Sequence, residues 1–287
     1  MNTPAEIYGI FGNPVAHSLS PLMHNCAFRE MKLDALYVPF LVEDLEGAIR
    51  GIRALNIRGV SVTIPFKTAV LPHLDEVEES ARAIGAVNTI MNTDGKLRGF
   101  NTDWIGLVHS LGESVEIRGR TFAIIGAGGA ARAAVFGILK KGGLPIIMNR
   151  TAEKGKALAR EFDCPFQPLT DISAVESEGL INTTPVGMKP DEGKTPIRRG
   201  DLSRFRVVMD IIYNPLRTRL LREAGEAGCH VVDGLGMFIH QGAEQIRVWT
   251  GREPPVALMR QVVRKKLEDK MKGFKDSRGQ GSKGKTV

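Results

Sequence analysis

Thr121-Phe-Ala-Ile-Ile125 followed by Gly126-Ala127-Gly128-Gly129-Ala130-Ala131-Arg132 reads as a buried strand, a glycine turn and the start of a helix. The strand is a short apolar run with aromatic and β-branched residues. The alanine-rich stretch from Ala130 to Lys141 favours helix. The pattern is G-x-G-x-x-A, and strand–turn–helix is the context in which it indicates a dinucleotide site. Gly126 allows the tight turn, Gly128 lets backbone approach a pyrophosphate, and Ala131 permits close helix–sheet packing. The helix start adds free N–H groups and partial positive charge for phosphate. The next strand, Pro145 to Met148, runs into Asn149-Arg150-Thr151. An acidic residue near here grips the ribose of NAD. This chain has none, and a guanidinium at Arg150 suits a 2′-phosphate, which favours NADP over NAD.

A length of 287 residues suggests about two domains, and 43% hydrophobic with 25% charged residues is ordinary for a soluble globular chain. No apolar run approaches the ~20 residues that span a bilayer. No secretory pattern opens the sequence, so a cytoplasmic protein is expected. Cys26, Cys164 and Cys229 lie far apart and suit reduced, packed thiols, with no metal site expected. The net charge of +7 sits mainly at the end: Arg264 to Val287 hold nine Lys/Arg against three Asp/Glu. That Gly/Ser/Lys-rich tail is expected to be disordered from about Lys272. With Phe274 as its one aromatic residue it offers no stacking surface and points to no nucleic-acid partner.

Strands and helices alternate along most of the chain, which predicts an α/β protein with two domains and largely parallel sheets. The front half predicts strands at 7–11, 36–40 and 59–63, then a hairpin from 86–91 and 96–100 about Asn92-Thr93-Asp94-Gly95. Ser20 before Pro21 reads as a helix cap, and Asp103 as another. Ser18 and Ser20 together could also hold a carboxylate at a helix start. Thr63 and Lys67 follow a strand end, where ligands sit in such sheets. The back half, 119–234, alternates as a doubly wound Rossmann-like sheet. Two helices, 238–249 and 255–270, follow with no strand between them, and packing back on the front half would bury their apolar faces. The expected division is 1–103 for substrate and catalysis, 104–236 for NADP, 237–270 as returning helices and 271–287 as the basic tail.

Taken together, Ser18-Leu-Ser20, Ser61-Val-Thr-Ile-Pro-Phe-Lys67, Gly85-Ala-Val-Asn-Thr89, Asn101-Thr-Asp103, the glycine loop, Asn149-Arg-Thr151, Asn182-Thr-Thr-Pro-Val-Gly187 and Gly234-Leu-Gly-Met-Phe-Ile-His-Gln241 resemble the motif series of the shikimate dehydrogenase family, in order, over roughly residues 5 to 265. The resemblance implies NADPH-dependent reduction of 3-dehydroshikimate to shikimate, in aromatic amino-acid biosynthesis. It assigns Lys67 and Asp103 as the catalytic pair, and Ser18, Ser20, Thr63, Asn88, Asp103, Tyr213 and Gln241 to the substrate. It assigns Gly126, Ala127, Gly128, Gly129 and Ala130 to pyrophosphate and Asn149, Arg150 and Thr151 to the 2′-phosphate. Ile211 and Gly234 fall toward the nicotinamide, although the family often has Met where Ile211 stands. A small-molecule substrate is the implied partner, with no nucleic acid or membrane, and a homodimer is left open.

The chemistry agrees with these assignments. Reducing a ketone needs a hydride, a proton for the emerging alkoxide and a firm grip on the substrate. Lys67 is the natural cation beside the carbonyl, able to stabilise negative charge and deliver a proton. Hydroxyl and amide side chains suit a polyhydroxylated carboxylate ring. His17 and His240, beside these motifs, are expected to pack or face solvent, and Cys26 to lie in the core. Two other readings fit less well: an NAD-preferring quinate/shikimate dehydrogenase, disfavoured by Arg150, and a non-catalytic NADP-binding regulator, disfavoured by Lys67 and Asp103.

Overall fold

The computed structural model describes residues 5–279, with side chains through 269. In its first half, β1 (Glu6–Gly12), α1 (Ser20–Glu30), β2 (Ala35–Leu41), α2 (Leu45–Ala54), β3 (Gly59–Val62), β4 (Glu76–Val77), α3 (Glu79–Ile84), β5 (Thr89–Thr93) and β6 (Lys96–Phe100) build one six-stranded sheet, ordered β2-β1-β3-β5-β6-β4. β1 pairs in parallel with β2 and β3, and β4 with β6, while β5 runs antiparallel to both β3 and β6. The hairpin turns at Asp94 and Gly95, both at positive φ, as a two-residue loop matched to strand twist requires.

After α4 (Asp103–Gly112) come β7 (Thr121–Ile125), α5 (Gly129–Lys140), β8 (Leu144–Asn149), α6 (Ala152–Glu161), β9 (Phe166–Pro168), β10 (Gly179–Asn182), β11 (Val207–Asp210), α7 (Arg219–Glu226) and β12 (His230–Val232). Their strands form a second six-stranded sheet, parallel throughout, ordered β12-β11-β10-β7-β8-β9. Counted from β7, this is the 3-2-1-4-5-6 order of a dinucleotide-binding sheet, with its switch point between β7 and β10. The central strands are buried on both faces, so they read as continuous apolar runs without alternation.

α8 (Gly234–Thr250) and α9 (Val256–Gly279) return to the first half. There Leu235, Ile239, Ala243, Ile246, Met259 and Val263 share a core with Met23, Phe28, Tyr8 and Tyr37. Each fully buried large side chain of this kind contributes roughly 1.5–3 kcal/mol. α4 is the hub between the halves. A Cβ on its Gly106 would lie 2.6 Å from the Met237 carbonyl oxygen of α8, and one on Gly137 of α5 would lie 2.8 Å from Val108 of α4. Backbones this close leave both contacts tight.

Several local expectations differ from the structure. Ser20 is the first helical residue and not the cap. Leu19 occupies the cap position, and the Ser20 N–H instead donates to Ser18 Oγ at 3.2 Å. Thr102, not Asp103, precedes α4, because the Asp103 carboxylate is engaged elsewhere. β5 begins at Thr89; before it, Asn88 still bridges its neighbours, its N–H donating to the Phe100 carbonyl of β6 and its carbonyl accepting the Val62 N–H of β3, while the Ala86 and Val87 N–H groups go to α3 and to the Lys67 carbonyl. α8 starts at Gly234, capped by Asp233 through the Leu235 N–H at 3.0 Å. α9 continues through Gly279, into the stretch expected to be disordered, on Lys, Glu and Met residues that favour helix. The remainder of that expected tail lies outside the described residues. Among the described residues no helix is long and apolar enough to cross a membrane. Cys229 is buried, while Cys26, expected in the core, and Cys164 are only half-buried.

Candidate active site

Lys67 follows β3 and Asp103 opens α4, and the fold brings them together: Lys67 Nζ donates to Asp103 Oδ2 at 2.5 Å. Their side chains are 19% and 6% exposed, enough for the lysine head to meet a ligand while the carboxylate stays shielded. Asn88 donates to the other carboxylate oxygen, Oδ1, at 2.8 Å, and also lies 3.4 Å from Gln241 Oε1. The Asp103 N–H donates to Asn101 Oδ1, and Asn101 in turn donates to the Ala86 carbonyl. Asn88 Oδ1 receives the Thr102 N–H at 2.7 Å and the Thr89 hydroxyl at 2.9 Å. The carboxylate is thus held from two sides, with one oxygen turned to the ammonium.

A buried hydrogen-bond chain extends this network. The Tyr37 hydroxyl donates to Ser61 Oγ at 2.6 Å, and Ser61 donates to Gln245 Oε1 at 2.8 Å. Gln245 donates to the Asn88 carbonyl and to Thr89 Oγ1. Ser20 lies beside the Tyr37 hydroxyl, whose pKa burial raises. Ser18 and the Leu19 backbone meet the hydroxyl of Tyr213, whose pKa burial also raises, and the Tyr213 ring stacks on Phe238 at 4.0 Å. Thr63 stands at the end of β3, its N–H bonded to the Phe11 carbonyl and its methyl against Gly12. The residues expected to meet the substrate therefore fall into two neighbouring groups, Asn88, Asp103 and Gln241 with Lys67 in one and Ser18, Ser20 and Tyr213 in the other, with Thr63 at the end of β3.

The nucleotide loop faces the first group. A Cβ placed on Gly129 would lie 3.0 Å from Cβ of Lys67 and 3.7 Å from Cβ of Ala86. Gly126 has φ 128°, which only glycine adopts freely, and a Cβ there would collide with Thr183 Oγ1. Gly128 has open space where a Cβ would be, and α5 begins there with no side-chain cap. Ala127 and Ala130 are half-buried beside it. Bare backbone and unfilled helix N–H groups fit a pyrophosphate.

At the end of β8, Asn149 donates to the Thr151 carbonyl at 2.8 Å and fixes the turn. Arg150 is exposed there, and among the described residues no carboxylate pairs with its guanidinium. These residues fit a phosphorylated ribose. Ile211 and Gly234 meet beyond β11, where a Cβ on Gly234 would collide with the Ile211 carbonyl oxygen. Buried Asp210 steadies that corner by accepting from Thr218, Asn182 and the Ile212 N–H, and burial lifts its carboxyl to about 6.

Sequence reasoning gave no role to Tyr37, Thr102 or Gln245. Gln245 had a legible signal, since it falls four residues after Gln241 and shares its helix face. His17 is exposed, and His240 pairs with Glu113 at 3.0 Å away from the network. Trp249, for which the sequence suggested no role, donates to the Ile90 carbonyl and packs on Tyr8.

Known proteins resemble the chain in both sequence and fold. Residues 10–90 match the model of the shikimate dehydrogenase substrate binding domain, and 234–264 that of the shikimate 5′-dehydrogenase C-terminal domain. A shikimate dehydrogenase (NADP(+)) of Pyrococcus abyssi is 46% identical over 91% of this chain and 98% of its own. The crystal structure of a shikimate dehydrogenase in complex with NADP+ superposes with a TM-score of 0.86 at 41% identity, covering 92% of this chain and 96% of that one. A Thermus thermophilus shikimate 5-dehydrogenase in complex with NADP(H) and shikimate gives 0.83 at 38% identity, over 91% and 99%.

Proposed function

The chain belongs to the shikimate dehydrogenase family, and we propose that Lys67 and Asp103 are the pair with which it carries out that family's reaction. It is an NADP-dependent shikimate dehydrogenase, an oxidoreductase that reversibly reduces 3-dehydroshikimate to shikimate on the route to aromatic amino acids. NADPH supplies the hydride, and the protein supplies placement, charge and the proton.

In the reduction, the Lys67 ammonium stands beside the ketone oxygen, stabilises its growing negative charge and gives it a proton. Asp103 holds the ammonium through Oδ2 and accepts from a substrate hydroxyl. Asn88 keeps that carboxylate from turning by occupying Oδ1. In the reverse direction Lys67 takes the proton back. Asn88, Gln241 and Thr63 bind ring hydroxyls, while Ser18, Ser20 and Tyr213 take the ring carboxylate. On the opposite wall Gly126, Ala127, Gly128, Gly129 and Ala130 hold the pyrophosphate, and Asn149, Arg150 and Thr151 hold the 2′-phosphate. Ile211 and Gly234 border the nicotinamide.

One observation carries this reading: Lys67 is bonded to Asp103 while its own stem packs against Gly129 of the nucleotide loop. A cation so placed can reach a carbonyl set against a bound dinucleotide. The test is kcat/KM with shikimate and with quinate, each against NADP+ and NAD+, followed by reduced-nicotinamide absorbance. Shikimate with NADP+ is expected to give the highest value. Higher values with NAD+ or quinate would overturn the assignment of Arg150 or of the hydroxyl set.

A further inference from the structure

Arg132 closes the glycine motif but has no part in the reading above. It stands in the first turn of α5, its N–H bonded to the Gly128 carbonyl at 3.0 Å. Its guanidinium reaches across to the other half. Nε donates to the carbonyl oxygen of Ile84 at 2.5 Å, and Ile84 is the last residue of α3 in the other half. A carbonyl at a helix C-terminus lacks an intrahelical partner and carries partial negative charge, so a guanidinium is a fitting donor. Gly85 follows in the left-handed region at φ 68°. A Cβ there would lie 2.5 Å from Arg132 Nη2 and 3.0 Å from Nε, so a side chain would intrude on the arginine as well as strain the turn. The far edge of the guanidinium pairs with Glu161, the last residue of α6. Below it, Ile84, Ala86 and Ala133 form a small apolar floor across the two halves, with Trp104 and Phe136 against it.

Immediately after Gly85 the chain enters the active site. The Ala86 carbonyl accepts from Asn101, the Val87 N–H donates to the Lys67 carbonyl at 2.7 Å, and Asn88 holds Asp103. At the other end of the link, α5 begins with Gly129, which packs on Lys67. We infer that Arg132 is a positioning residue that ties the dinucleotide loop to the segment 85–88, so that filling the loop orders Lys67 and Asn88 for substrate. This inference rests on the reading of Lys67 and Asp103 as the catalytic pair and adds the element that couples that pair to the cofactor. An arginine that served the fold alone would stabilise the protein without connecting the two sites.

Hydrogen exchange on the full native chain, with and without NADP+ and with no shikimate, tests the coupling directly. NADP+ is expected to slow exchange of the amides at 85–89; unchanged rates at saturation overturn the proposal. Arg132→Met keeps the length and removes the donors. It is expected to abolish that protection and to raise KM for shikimate about tenfold, in line with loss of one charge-assisted bond. NADP+ affinity measured without shikimate should stay within about twofold, and Arg132→Lys, which keeps a donor for Ile84, should recover part of the loss. Retained protection in Arg132→Met, or an equal loss of NADP+ affinity, contradicts the role. Should Arg132→Met fail to fold, the native exchange result decides. None of the exchange measurements depends on turnover, so failure of the catalytic reading would appear separately, as activity surviving in Lys67→Ala.

Discussion

Nζ of Lys67 lies 2.5 Å from Oδ2 of Asp103, across a sequence separation of 36 residues. The pair exists because one short segment holds both partners: the Val87 N–H donates to the Lys67 carbonyl at 2.7 Å, and the Asn88 side chain donates to Asp103 Oδ1. Asp103→Asn keeps the shape and removes the negative charge beside the lysine. Steady-state kinetics should show kcat lowered by about 100-fold or more, as for loss of a partner in proton transfer, with a higher KM for shikimate. A kcat within a few-fold of the native enzyme would remove the carboxylate from the chemistry.

Asn88→Ala strips one amide from Asp103 and leaves the Thr102 N–H and the Thr89 hydroxyl without their buried acceptor. Two effects are expected together. Stability should fall by about 1–3 kcal/mol, the cost of an unsatisfied buried group, and kcat/KM for shikimate should fall by more than that loss explains. Denaturant unfolding alongside kinetics separates them. Normal kinetics in a destabilised variant would make Asn88 structural only.

Arg150 stands exposed at the end of β8, beyond a turn fixed by Asn149. Removing its charge should weaken NADP+ binding by about 10- to 100-fold, the range for a hydrogen bond to a charged group, and leave NAD+ nearly unaffected. Titration of Arg150→Ala with each cofactor checks this. Equal losses for both would mean that the guanidinium does not meet the 2′-phosphate.

Much of this arrangement was legible because it is local. Gly126 at positive φ, the open space at Gly128 and the unacidic end of β8 all follow from short stretches read in register. The cap readings of Ser20 and Asp103 failed for one physical reason: each side chain or backbone group is claimed by a partner outside the helix turn it was expected to cap. Arg132 and Gln245 were hidden more deeply, since their partners Ile84, Ser61 and Asn88 lie 48, 184 and 157 residues away. β4 and β9 are too short to show a period, and only their places in finished sheets define them.

Two buried groups set opposing pH dependences on stability. Burial lifts Asp210 to about 6, so the native state keeps a proton that an unfolded aspartate, near ~4, has already lost. Its contribution therefore grows as pH falls from about 6 toward 4. Burial lowers His24 to about 4, so the unfolded chain gains the proton first and stability is lost as pH falls from roughly 6.5. The two trends offset one another in the native protein. Asp210→Asn removes the opposing trend, and thermal melts should show a steeper loss toward acid than in the native chain. Parallel curves would contradict the assignment of the Asp210 proton.

The most direct measurement is the initial rate of Lys67→Ala with saturating shikimate and NADP+, taken beside KM for shikimate. The account predicts a kcat lower by about 10³-fold, within the range for removing a positioned proton donor, at a KM close to native. Turnover near the native rate would show that another group meets the carbonyl and would contradict the role given to the ammonium between Asp103 and Gly129.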